Sequence, residues 1–136
     1  MAFKLEKNLL APNFTPIIEY PTTASTTYKV GEVLKLSSGA LVAADVNSDG
    51  VQQFICQEDY VAPASGMKKI AVTPILPGQI WKCKTSADCS AAVIGTKVTL
   101  TATTLDGVTA TTTKGVAEIV DLCGAAASGD EILVRF

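Results

Sequence analysis

The apolar positions alternate with polar ones over short stretches, and turn residues separate these stretches. In QIWKCKT (79–85) the alternation has a two-residue period, which is the spacing that places side chains on opposite faces of a strand. Strand-like segments separated by Gly, Ser, Asn or Asp are typical of a sandwich or barrel. They span 28–36, 40–44, 51–57, 68–75, 78–85, 97–104, 108–113, 115–123 and 131–136. The pattern predicts an all-β fold, a small β-barrel or sandwich of about eight or more short strands.

The first part of the chain has a different pattern, because prolines recur at close intervals. Pro12, Pro16 and Pro21 each lack a backbone donor, so this part cannot form a central strand. We therefore predict an extended Pro-rich N-terminal arm over residues 1–27 and a β domain over residues 28–136.

The arm carries large apolar side chains that an extended chain cannot pack against one another. They are Phe14, Ile17, Ile18 and Tyr20. Two destinations stay open: an edge of the chain's own domain, or the surface of a partner. In the second case we expect the arm to be mobile in the free protein and ordered on the partner, with these four residues as the binding residues.

Composition and charge restrict the classes of function and partner that we expect for this protein. Apolar residues make up 48% of the chain and aromatic residues 6%, and Thr is frequent in the segment 96–113, which suits a pleated surface. The net charge of -2 favours neither nucleic acid nor an anionic membrane as a partner. Charged residues and Pro12 interrupt the N-terminus, so we expect no signal peptide or membrane span, and synthesis in the cytoplasm.

Candidate chemistry is sparse. The chain has no histidine, which excludes His-dependent nucleophiles and imidazole zinc sites. Cys56, Cys83, Cys89 and Cys123 are expected to be free buried thiols, and a bridge between Cys83 and Cys89 is the alternative. Five residues separate that pair, a spacing that disfavours zinc. We predict that the protein is not an enzyme and holds no cofactor or metal.

The stretch DVNSDG (45–50) resembles a calcium loop in its first six positions. A bidentate carboxylate should follow at the twelfth position, where Cys56 stands, and both flanks have strand patterns. Because Asp, Asn, Ser and Gly also favour turns, a plain hairpin turn is the better interpretation.

The order of segments provides the remaining information. It consists of a Gly-x-Val-Leu strand, an acidic turn, a Val-x-Pro strand and a final Gly-Asp strand, carried by Gly31, Val33, Leu34, Glu58, Asp59, Tyr60, Val72, Pro74, Gly129, Asp130 and Val134. This order resembles the head decoration or capsid cement proteins of tailed bacteriophages, including the lambda-type family. The Thr-rich segment has no counterpart in that pattern.

The resemblance implies a structural protein of the virion, made in the host cytoplasm. It would bind the outside of the shell formed by the major capsid protein, as a homo-oligomer, often a trimer, and its arm would pair with capsid strands. Two alternatives of other classes stay open. One is a β-sandwich adhesin or carbohydrate-binding module, for which Trp81 is the candidate platform. The other is a carrier domain modified on Lys68.

Overall fold

The computed structural model describes residues 2–12, 14–47, 51–89, 94–102, 104–123 and 127–136. Their regular structure is all β, which confirms the predicted fold class. The strands are β1 (Lys4–Asn8), β2 (Ile18–Pro21), β3 (Thr27–Tyr28), β4 (Val33–Ser37), β5 (Ala40–Ala43), β6 (Phe54–Cys56), β7 (Tyr60–Val61), β8 (Lys69–Pro74), β9 (Gln79–Thr85), β10 (Lys97–Val98), β11 (Gly107–Val108), β12 (Ala117–Asp121) and β13 (Glu131–Arg135). Within these described ranges no helix is long and apolar enough to cross a membrane.

The strands form two main sheets and one small one. The first has the order β1-β9-β13-β12-β10, with β11 also paired to β9; the second has the order β2-β8-β6-β4-β5; β3 and β7 form a two-stranded sheet. All pairs are antiparallel except β11 with β9. The outer strands β2 and β5 approach each other through a bridge between Thr22 and Leu41, which curls the second sheet toward a barrel.

Strand alternation divides the apolar side chains between two cores. On β4 and β6, Val33 and Ile55 belong to one core and Leu34 and Phe54 to the other. The larger core is built around Trp81 and lies against the first sheet. The smaller core lies within the curled second sheet. Both faces of the central strands β4 and β6 are therefore buried, and this explains their continuous apolar runs.

The N-terminal part of the chain is joined to both sheets. β1 pairs with β9 and β2 pairs with β8, each at a sheet edge, where prolines are tolerated. Phe3 is 2% exposed and belongs to the larger core. Its N–H donates to the Gly31 carbonyl oxygen at 3.1 Å. The boundary at residue 27 stays a prediction, but this pairing argues against a freely mobile arm.

The Thr-rich segment forms an irregular hairpin, so the strands predicted over 97–104 and 108–113 are too long. Among the described residues of this segment, which leave out residue 103, the regular strands are the two-residue β10 and β11. The Thr109 N–H donates to the Thr99 carbonyl, and the hydroxyl groups of these two residues lie 2.7 Å apart. Hydroxyl groups bond one another and the backbone within this hairpin, which gives the threonines a structural role.

The described residues leave out part of several predicted segments: residues 48–50 of the turn over 45–50, residue 103 of the strand over 97–104, and residues 90–93 of SADCSAAVI (86–94), a stretch whose sequence allows a short helical turn. Asp45, at the start of the first, lies 3.3 Å from the Lys35 ammonium.

Candidate functional site

A tip formed by the connection between β1 and β2 is the part of the surface where apolar side chains concentrate. We define the apolar tip by its exposed side chains, which are Leu9 (63% exposed), Leu10 (76%), Phe14 (59%), Ile17 (52%), Ile18 (39%) and, from the β8–β9 turn, Leu76 (49%). Monomeric proteins seldom leave such large apolar side chains clustered in water. The cluster is therefore a candidate docking surface.

Local hydrogen bonds connect the described residues of the tip. The Asn8 side chain accepts a hydrogen bond from the Ala11 N–H at 3.2 Å and donates one to the Phe14 carbonyl at 3.2 Å. The Phe14 N–H donates to the Ala11 carbonyl at 3.1 Å. Asn commonly initiates turns in this way. The turn explains why the chain leaves the sheet after β1 and why Phe14 projects from it.

The β8–β9 turn supports the tip from one side. Gly78 has a φ of +87°, and a Cβ there would lie 2.8 Å from the Leu10 Cγ, so the Leu10 side chain rests directly on the glycine. The Leu9 N–H donates to the Gly78 carbonyl at 2.8 Å. Glycine is favoured at this position by its backbone conformation, and it lets the exposed Leu10 side chain lie close to the turn.

The structure separates the four predicted binding residues. Phe14, Ile17 and Ile18 are exposed, whereas the Tyr20 ring packs on Phe54 with centroids 4.9 Å apart. Tyr20 lies opposite Ile70 on β8 and packs against the smaller core. Tyr20 therefore docks on the chain's own domain.

Three members of the apolar tip were not predicted. Leu9 and Leu10 are adjacent in the sequence just before Pro12. These two neighbouring leucines could have indicated that the apolar surface extends to them. Leu76 comes from a distant turn, and only the pairing of β1 with β9 brings that turn to the tip. No sequence pattern marks such a contribution.

A half-buried acidic group lies elsewhere, where β4 begins. Burial and the neighbouring charges of Asp106 and Asp59 raise the pKa of Glu32 to about 7, while a backbone hydrogen bond from Lys29 and its charge act in the opposite direction. The Glu32 carbonyl accepts the Cys56 N–H at 2.9 Å, so the residue is fixed by its backbone. Glu32 will change its charge near neutral pH.

The four thiols are free. Cys56, Cys83 and Cys89 are buried as predicted, but Cys123 is exposed, because it follows the end of β12 instead of lying within a strand. Burial raises the pKa of Cys56 to about 11 and raises that of Cys83 as well, which makes both thiols poor nucleophiles. Among the described residues, no group of three or more His, Cys, Asp or Glu side chains is placed to hold a metal ion.

The residues proposed for other functions have structural partners. Trp81 is fully buried and offers no platform to a sugar; Ile80 beside it is the more exposed of the two. The Lys68 ammonium pairs with Glu58 and lies 5.0 Å from the centre of the Tyr60 ring, instead of projecting from a free hairpin tip. That ion pair lowers the pKa of Glu58.

Comparisons with known proteins find no matching family model and no significantly similar curated protein.

Proposed function

We propose that this protein is a non-enzymatic decoration or cement protein, which binds the outside of a bacteriophage capsid shell and stabilises it. Its partner is the major capsid protein, and it acts as a homo-oligomer, such as a trimer, on the virion surface. The observation that carries the proposal is the apolar tip, an ordered cluster of exposed apolar side chains on a domain with two buried cores. The order of segments that resembles head decoration proteins supports it.

Exposing these apolar side chains to water costs free energy, which docking on a partner recovers. Phe14 and Ile17 are each more than half exposed. Burying the exposed parts of two such side chains is worth roughly 2–3 kcal/mol in total, which corresponds to about 30- to 150-fold in affinity. One tip therefore binds weakly, and several linked tips in an oligomer bind far more tightly.

The test uses capsid shells that lack this protein. The wild-type chain should co-sediment with the shells and raise their melting temperature. A Phe14→Ser, Ile17→Ser double variant should keep the circular dichroism spectrum and lose at least about 30-fold in shell affinity, and more where several tips of an oligomer bind together. A matched control removes exposed apolar side chains away from the tip, with Val61→Ser and Met67→Ser. If both double variants bind as well as wild type, the apolar tip is not the contact.

A further inference from the structure

Three carboxyl groups from separate parts of the chain come together where β4 begins. Asp59, in the connection before β7, accepts the Val30 N–H through its side-chain oxygen at 2.8 Å. Asp106, in the Thr-rich hairpin, directly follows the residue whose carbonyl accepts the Val33 N–H at 3.0 Å. Glu32 lies between Val30 and Val33, so these two backbone contacts hold both carboxyl groups close to it, and their charges act on it.

Two further titratable groups act on the Glu32 side chain. Lys29, on the same turn, donates a backbone hydrogen bond to it and carries a favourable positive charge. The Cys56 thiol on β6 also interacts with it, but burial raises the pKa of that thiol to about 11, so it bears no charge near neutral pH. Burial of Glu32 and the two neighbouring carboxylates outweigh the effect of Lys29, and the pKa of Glu32 is therefore about 7.

The segment 104–107 of the Thr-rich hairpin docks at this position through Leu105. The Leu105 side chain is 4% exposed and belongs to the larger core. Its carbonyl accepts the Val33 N–H, which is the one backbone hydrogen bond between this segment and β4 in the described part of the chain. Leu105 has a φ of +51°, a left-handed conformation that is unfavourable for a residue with a Cβ. Docking must therefore offset this strain.

The hairpin also closes on itself through bonds that do not involve β4. The Thr101 N–H donates to the Gly107 carbonyl at 3.0 Å, and the Leu105 N–H donates to the Thr101 carbonyl at 3.1 Å. The Asp106 N–H donates to the Thr101 hydroxyl at 3.2 Å. Because these bonds lie within the hairpin, the segment 104–107 can leave β4 and keep them.

We propose that Glu32 is a proton-operated switch for the docking of the segment 104–107 on β4. With its proton bound, the Glu32 carboxyl is neutral and the segment stays docked. When this proton passes to the solvent, a third negative charge joins those of Asp59 and Asp106. Their repulsion, together with the hydration that the new carboxylate gains, favours a local opening in which Leu105 leaves the larger core. The switch belongs to the domain itself and does not depend on the partner of the apolar tip.

Amide hydrogen exchange of the full-length chain measures this opening, because the Val33 N–H exchanges when it loses its bond to Leu105. The opened form exposes Glu32 and returns its pKa toward 4.5, so opening increases as pH rises from 4.5 to about 7 and is constant above. After correction for intrinsic exchange rates, the protection of the Val33 N–H should be about 5- to 30-fold lower at pH 8 than at pH 4.5. At pH 8 low urea concentrations should hardly change this exchange, since a local opening exposes little surface. Equal protection at both pH values, or a urea dependence as steep as that of global unfolding, overturns the inference.

Three variants identify the group that titrates. Glu32→Gln should keep the Val33 N–H equally protected at both pH values. Asp106→Asn keeps an oxygen that can accept the hydrogen bond from the Thr101 hydroxyl, and it should reduce the fall in protection without abolishing it. Glu19→Gln, on the exposed face of β2, should behave like wild type. A fall of wild-type size in either Glu32→Gln or Asp106→Asn overturns the inference.

Discussion

Replacing Glu32 by Gln should remove a pH-dependent loss of stability. The side chain is half-buried, and its carboxylate form is disfavoured by burial and by Asp106 and Asp59, so its pKa rises from 4.5 to about 7. Gln keeps the size of the side chain and an oxygen that can accept the backbone hydrogen bond from Lys29, but carries no charge. The variant therefore isolates the effect of ionisation.

The sign of the pH dependence of stability follows from the direction in which the pKa of Glu32 is shifted. Because the folded protein holds this proton more tightly than the unfolded chain, its contribution is complete below about pH 4.5 and is lost as pH rises through about 7. A shift of this size corresponds to roughly 3 kcal/mol at most, and solvent screening of a half-exposed group reduces it to roughly 1–2 kcal/mol. Glu32→Gln should thus be more stable than wild type by that amount at pH 8, and equal to it near pH 4.

Urea unfolding from pH 4 to pH 8.5 measures this difference, and the fluorescence of the single buried Trp81 reports it. Comparing the variant with wild type at each pH cancels the contributions of other carboxylates. Glu19→Gln on the exposed face of β2 controls for the exchange itself. A difference between Glu32→Gln and wild type that is constant with pH, or largest at low pH, would refute the reasoning.

Three further results are expected. Gly31→Ala should destabilise the fold by about 2–4 kcal/mol in urea unfolding, because the residue has a φ of +89° and a new Cβ would lie 2.4 Å from the Ala2 Cβ. Deleting residues 1–21 should abolish the cooperative melting transition seen by circular dichroism, since it removes two edge strands and Phe3, whose burial alone is worth about 3–5 kcal/mol. In a thiol-reagent assay Cys123 should react in the folded protein, although desolvation and nearby acidic groups raise the pKa of its thiol, and the three buried cysteines should react only on unfolding.

The local pattern of apolar and polar residues was sufficient to predict the fold class and most strands after residue 28. In β9, for example, Gln79, Trp81 and Cys83 alternate with more exposed residues, as the two-residue period requires. The Thr-rich segment shows where this reasoning fails. Its β-branched residues favour strands, and backbone hydrogen bonds such as that from the Thr109 N–H to the Thr99 carbonyl do continue after Val98, but hydroxyl groups also bond one another there, and the described residues between Val98 and Gly107 form no regular strand.

The N-terminal segment was harder to predict because its pairing is entirely non-local. Prolines indicate where an edge must lie, yet they do not say which strand it pairs with. The pairing of β1 with β9 joins residues more than seventy positions apart. Phe14 lies in the proline-rich segment itself, so it could be predicted as a binding residue. Leu76 could not, because only the pairing of β1 with β9 brings the β8–β9 turn to the apolar tip.

The structure of the sheet edges determines whether a strand from a partner could pair with them. β1 is charged at Lys4, Glu6 and Lys7 and its register shifts between Leu5 and Lys7, features that discourage another strand from pairing with it. The edges of the second sheet approach each other at Thr22, and both its side chain and that of Thr23 donate to backbone carbonyls there. The resemblance to lambda-type decoration proteins implied that the arm pairs with capsid strands. In this chain the same segment is paired within its own sheets, so contact through the side chains of the apolar tip is the better expectation. Under the proposed function, substitutions of the tip side chains that leave its backbone intact should therefore be enough to weaken shell binding.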